Sequence, residues 1–151
     1  MRQFADFGEY FDSLVGEWSI LRTVSSGEKL QGKLLLAFLD NSSYLVSETG
    51  ELRMSDGNLI SASRQWIWRY ENGNLLIYFD EEPPRLYHQM VPVLRAGAWH
   101  GQGDHDCPPD AYVGEYLFSA NKIIVKQDVM GPKKDYQIVS EYTRRFPIQS
   151  S

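Results

Sequence analysis

The sequence predicts an all-β protein: one antiparallel up-and-down barrel of about ten strands, with a short N-terminal helix capping one end. Three observations carry this expectation. Beyond residue 16 the apolar residues recur with period two or in short runs, and turn formers interrupt them roughly every 8–12 residues, as in sandwiches and barrels. The connections are short, which favours a meander of neighbouring strands, and closing the meander removes its exposed edges. Only one stretch has helical spacing, and it comes first in the chain.

In that stretch Phe4, Phe7, Phe11 and Leu14 follow one another at intervals of three, four and three, which places all four on one stripe of a helix. Gly16 ends the pattern. The stripe has no second helix to pack against, so a mouth of the barrel is where it can be buried. The ten expected strands then span 17–24, 29–39, 44–52, 59–70, 75–79, 86–93, 99–103, 112–119, 123–130 and 135–145. Turn chemistry separates them, most sharply at Asn72-Gly73, because a type I′ hairpin turn needs two residues with positive φ. The segment from Asp104 to Asp110 beyond the seventh strand, dense in Asp and Pro, reads as loop.

At 151 residues the chain is one domain long, residues 1–151, and a chain of this size buries roughly 70% of its unfolded surface. Fifteen Lys and Arg against 20 Asp and Glu leave a net charge of -5, which argues against nucleic acid as partner. No apolar run approaches the ~20 residues of a membrane span. The single cysteine, Cys107, forbids an intramolecular disulfide. Acids at Asp6, Glu9 and Asp12 replace the apolar core of a secretion signal, so the expected location is cytoplasmic. A homodimer is compatible with the sequence. Aromatics stand out at 13%, with four Trp, nine Tyr and seven Phe, and in a small β-rich chain such rings line pockets or fill cores.

Several motifs resemble known barrels. Gly16-Glu17-Trp18 directly after the short helix resembles the G-x-W that opens the first strand of lipocalins. The chain ends its last strand in Tyr142-Thr143-Arg144-Arg145. In lipocalins a basic residue there stacks across the Trp, a role open here to Arg144 or Arg145. The chain is also similar, over nearly its whole length, to a small uncharacterised family of lipocalin-like, calycin-type single barrels. The features are Arg64-x-Trp66-x-Trp68, His88 after a Phe-Asp strand end, His105-x-Cys107-x-x-Asp110-x-Tyr112, and Gly131-Pro132-x-Lys134-Asp135-Tyr136 followed by Tyr142-x-Arg144. Glu81-Glu82-Pro83-Pro84 departs from that pattern, where a short Asp-Gly turn is expected. The resemblance implies a lipocalin-like barrel with a ligand cavity and the signature set Gly16, Trp18 and Arg144. It implies no reaction.

Alternation sorts each strand into two faces. Arg64, Trp66, Trp68 and Tyr70 share one; so do Tyr112, Gly114, Tyr116 and Phe118, and so do Lys134, Tyr136, Ile138, Ser140, Tyr142 and Arg144. Rings facing water on three strands would make an exposed apolar patch, so these faces are expected to look inward. An interior of Trp and Tyr with one or two Arg suits a flat, partly polar or anionic ligand. The expected function is binding of a small hydrophobic or aromatic molecule. Arg64, Trp66, Trp68, Tyr112, Tyr116, Tyr136 and Tyr142 are the expected wall, with His88 and Arg22 as polar anchors.

The alternative is a cofactor-free cyclase, isomerase or hydrolase in the same cup. There His88 or His105 is the acid/base, Asp110 or a tyrosine its partner, and Tyr112, Tyr116 or Tyr136 a donor to a developing oxyanion. Metal binding by His100, Asp104, His105, Asp106, Cys107 and Asp110 is not expected, since no paired C-x-x-C or H-x-x-x-H spacing is present. Cys107 sits before Pro108-Pro109 with nothing nearby to depress its pKa, and reads as a resting thiol. Lys133-Lys134-Asp135 reads as a solvated hairpin tip. There is no phosphate loop, nucleophile elbow or dinucleotide fingerprint, and no cofactor is expected.

Overall fold

A computed structural model describes residues 4–149, apart from the side chain of Asp106. The elements are α1 (Phe7–Asp12), β1 (Gly16–Val24), β2 (Lys29–Asp40), β3 (Ser43–Arg53), β4 (Leu59–Glu71), β5 (Asn74–Phe79), β6 (Arg85–Met90), β7 (Val93–Arg95), β8 (Ala98–Cys107), β9 (Asp110–Phe118), β10 (Lys122–Gly131) and β11 (Lys134–Arg144). The strands form one antiparallel sheet in the order β6-β5-β4-β3-β2-β1-β11-β10-β9-β8-β7. Consecutive strands pair except β6 with β7, and β1 pairs with β11, with Trp18 opposite Arg144. The sheet curls until β6 lies against β8, giving an all-β, calycin-like barrel.

Among the described residues no ladder joins β6 to β8. Side chains close that seam, and glycines make room for them. A Cβ at Gly101 would lie 2.5 Å from Met90 Sδ, and one at Gly103 would lie 2.6 Å from both Cβ and Cγ of His88. On the far side of His88, a Cβ at Gly114 would lie 2.7 Å from its Cε1.

Two strand expectations need correction. The expected strand 86–93 is two strands, β6 and β7, parted at Val91-Pro92, because proline carries no N–H for a ladder and bends the chain out of it. The expected loop after Gly103 is instead the second half of β8, whose ladder with β9 continues to Cys107 opposite Asp110. Asp and His in alternation are tolerated there because the strand faces solvent on one side and the barrel interior on the other. The helix is one and a half turns, shorter than the apolar stripe. Asp6 caps it by accepting from the Glu9 N–H at 2.8 Å and Ser13 closes it, so Phe4 and Leu14 both fall outside.

α1 plugs one end of the barrel. Phe7, Tyr10, Phe11 and Leu14 are all buried there, each contributing on the order of 1.5–3 kcal/mol by leaving water. The Phe7 ring packs edge-on against Trp99 and Phe118, at 5.7 Å and 5.2 Å between centroids. The Tyr10 hydroxyl donates to Ser119 O and that of Tyr44 to Phe11 O, both at 2.6 Å, tying helix to sheet. Trp18 Nε1 donates to Leu14 O at 3.0 Å. The Arg144 guanidinium sits 4.4 Å from the centre of the Trp18 ring and donates to Ser13 O and Ala120 O. Arg144, not Arg145, is therefore the residue across the tryptophan; Arg145 pairs with Glu17 at the surface. With this end sealed, any opening must lie at the other.

Candidate ligand-binding cavity

A cavity of ≈ 340 Å³ occupies the half of the barrel away from α1, within the range of small-molecule sites. Residues from ten of the eleven strands, all but β7, supply its wall. β4 contributes Trp66 and Trp68, β9 Tyr112 and Tyr116, β11 Tyr136 and Tyr142, while β1 contributes Arg22, β5 Phe79 and β8 His105. Arg64 lies at its edge, with the guanidinium 5.0 Å from the Trp66 ring centre and no hydrogen-bond or ion-pair partner among the described residues. The expected wall residues and Arg22 are thus brought together around one space.

One side of the wall is a buried polar cluster. Arg22 and Glu48 form an ion pair with the glutamate only 4% exposed. Arg22 also donates to Ser140 Oγ at 2.7 Å and to the Tyr142 hydroxyl at 3.1 Å. Trp66 Nε1 donates to Glu48 Oε1 at 3.3 Å, and the Tyr142 hydroxyl donates to Oε2 at 3.4 Å. Burial and the adjacent Glu48 charge push the Tyr142 hydroxyl up to about 12, so it stays protonated. For Arg22, burial opposes the charge, and Tyr142 with Glu48 more than offset it, holding the guanidinium above its ordinary value. This cluster fixes the Trp66 indole edge-on to the carboxylate and its ring face toward Phe79 and Tyr87, with centroids 5.2 Å and 5.3 Å away.

At the mouth, Lys134 Nζ reaches the Tyr112 hydroxyl at 2.9 Å and Asp110 Oδ2 at 3.1 Å. These partners raise the lysine pKa, the Tyr112 hydrogen bond contributing most. On the facing strand Arg85 pairs with Glu81 and stacks on Phe79, 4.4 Å from the ring centre. The Glu81-Glu82-Pro83-Pro84 segment thereby carries one of the rim ion pairs.

The structure separates the groups considered for acid/base work. His88 is fully buried on β6 and does not line the cavity. Its Nδ1 is 2.6 Å from the Tyr116 hydroxyl and its Nε2 is 3.4 Å from the Tyr112 carbonyl oxygen. Burial, and to a lesser degree His105, lowers its pKa to about 4. Asp110 faces Lys134 rather than a histidine. His105 lines the cavity with its ring packed against Phe79, Tyr87 and Tyr112. His100 points to the opposite, outer face of β8, and Cys107 is exposed at the cavity rim.

Sequence reasoning missed Glu48 and Tyr87. Glu48 carried a signal: Tyr44, Val46 and Glu48 alternate on β3, so an acid stands in an otherwise apolar inward face. Tyr87 carried none. In β6 the pairing slips, Leu86 facing Tyr78 but His88 facing Ile77, so Tyr87 is an extra residue. Neighbours that simple alternation would send to opposite faces both turn inward, their rings stacked at 3.8 Å.

Comparison with family models matches residues 14–144 to a family of unknown function, DUF6314. The chain belongs to that family. Comparison with curated proteins gives no match. Among solved structures, this family member is similar to the S-type phycobiliprotein lyase CPES from Guillardia theta. The identity is 12% over 96% of this chain and 94% of that one, with a TM-score of 0.61. It is similar to EF1p2_mFAP2b bound to DFHBI, at 12% identity over 93% and 100% of the two chains and a TM-score of 0.53. Fatty-acid-binding protein 1 of Echinococcus granulosus follows at 10% identity, 89% and 98% coverage and a TM-score of 0.41. At such identities the first two likenesses establish the barrel fold. No helix among the described residues is long and apolar enough to cross a membrane.

Proposed function

We propose that this protein binds a small, flat, largely apolar or aromatic molecule in its barrel cavity, with any acidic end of that molecule directed to Arg64 at the edge. The observation that carries the reading is the cavity itself, walled by indole and phenol rings in a barrel whose other end is sealed by α1. A core meant only for stability would fill such a space, because unfilled volume costs packing energy. The wall's charge adds to the argument. Of the three arginines that line it, Arg22 is paired with Glu48 and Arg85 with Glu81, while Arg64 has no such partner among the described residues, so the cavity edge keeps one uncompensated positive charge that favours an anionic group.

Titration with 1-anilinonaphthalene-8-sulfonate, followed by fluorescence, tests this. One saturable site per chain is expected, weakened at least fivefold by Trp66→Ala, which removes an aromatic face of the wall, with circular dichroism showing that the variant is folded. Absence of saturable binding by the folded protein would overturn the reading. Native mass spectrometry of protein purified from its own host would then identify the natural occupant as a co-purifying mass.

A further inference from the structure

We infer that the occupant of the cavity presents an N–H or O–H donor to the hydroxyl of Tyr116, which His88 holds as a hydrogen-bond acceptor. The inference rests on the small-molecule reading above and narrows the class of molecule. His88 is clamped by its neighbours, and of its two ring flips the one observed is the one that sets both ring nitrogens against hydrogen-bonding partners. Its face lies on Tyr87 at 3.8 Å, and its atoms fill the space above Gly103 and Gly114 that any side chain there would occupy. In that orientation Nε2 is 3.4 Å from the Tyr112 carbonyl oxygen. A carbonyl oxygen only accepts, so Nε2 carries the proton. A neutral ring then offers a lone pair at Nδ1, and the Tyr116 hydroxyl, 2.6 Å away, must donate to it. Burial keeps the ring neutral at pH 7 by lowering its pKa.

The consequence for Tyr116 is directional. Its one proton is committed to His88, and among the described residues its oxygen makes no other hydrogen bond. Tyr116 is 5% exposed and lines the cavity. Its oxygen therefore retains only the capacity to accept, in a place where an unmet acceptor is costly. The Tyr142 hydroxyl differs, since it already accepts from Arg22 and donates to Glu48. The Tyr112 hydroxyl differs too, since it already accepts from Lys134. A ligand with an aromatic amine, ring N–H or phenol satisfies Tyr116, whereas an ether or carbonyl in the same place sets acceptor against acceptor. His88 is thus a positioning residue: it fixes the polarity of a contact it does not itself make.

A matched pair of probes tests this, 6-hydroxy-2-naphthalenesulfonate and 6-methoxy-2-naphthalenesulfonate, which differ in one donor and share the flat ring and the anion. The wild-type chain should bind the hydroxy probe roughly three- to tenfold more tightly, the range of one net hydrogen bond. Tyr116→Phe should bring the ratio near one. Equal binding of both probes by the wild type, or a preference surviving Tyr116→Phe, would overturn the inference while leaving the cavity reading intact. Binding of neither would overturn the cavity reading and this inference with it. Long-range ¹H–¹⁵N spectra of the histidine side chains at pH 7.5, on unsubstituted protein without probe, give an independent check. They should show His88 protonated at Nε2, and protonation at Nδ1 would refute the proposal whatever the variants do.

Discussion

Lowering the pH from 7.5 to 4.5 should remove about 2.5 kcal/mol of folding stability through one side chain, His88. Its pKa is about 4 in the folded protein, against an ordinary value of 6.5. The folded state holds the ring neutral because burial penalises the charge, and the Nδ1 lone pair is occupied by the Tyr116 proton. Between pH 6.5 and 4 the unfolded chain therefore binds a proton that the native chain refuses. Stability is complete above pH 6.5, falls as the pH drops through that window, and loses nothing further from this group below 4. Asp104 and His105 are the other titratable groups that act on the ring, with opposite signs and smaller effects than burial. The exposed carboxylates with lowered pKa, Glu28 and Asp40, act mainly below the histidine window. Urea unfolding followed by tryptophan fluorescence, at half-unit steps of pH, measures the curve. His88→Gln provides the reference, since glutamine keeps a polar side chain but does not titrate. The variant should be less stable than wild type at pH 7.5, and the gap should narrow as the pH falls to 4.5. A gap independent of pH would refute the assignment of a buried neutral imidazole.

Other substitutions test the surrounding framework. Gly103→Ala should destabilise by roughly 1–3 kcal/mol in urea unfolding, since its new Cβ meets the Cβ and Cγ of His88 and neither backbone-linked group can swing away. Glu48→Gln should cost about 2–4 kcal/mol, less than a fully buried pair because the Arg22 side chain is 22% exposed. It should also tighten 1-anilinonaphthalene-8-sulfonate binding at low salt, because it removes the one carboxylate of the wall and leaves the Arg22 charge uncompensated; unfolding and fluorescence titrations read the two effects separately.

The barrel was legible because its signals are local and repeated. Period-two patterning, short turns and a lone amphipathic helix each specify their own piece, and all agree. At Asn72 and Gly73 the chain has φ of 53° and 78°, the two positive values that the dipeptide predicts. The aromatic faces of β4, β9 and β11 were legible by the same alternation, and they converge on one cavity. What escaped was non-periodic. Pro92 divides one apolar run into two strands, and an Asp- and His-rich strand passed for a loop because polar composition outweighed its alternation. The slip at Tyr87 has no sequence signature at all, since a bulge is decided by the partner strand and by what it must pack against. His88 consequently lies beside the wall it was expected to form.

That bulge and the open seam are two sides of one structural choice. A β6–β8 ladder would need the two backbones at hydrogen-bonding distance, with ordinary side chains alternating above and below. Instead Gly101, Gly103 and Gly114 leave a trough, and the extra residue in β6 turns His88 and Met90 into it. The seam is closed by shape and burial rather than by backbone hydrogen bonds. One of the side chains filling it is also the group that orients Tyr116. Barrel closure and cavity polarity therefore depend on the same contacts. A substitution that widens the trough, such as Gly103→Ala, should change binding selectivity along with stability, although Gly103 itself never borders the cavity.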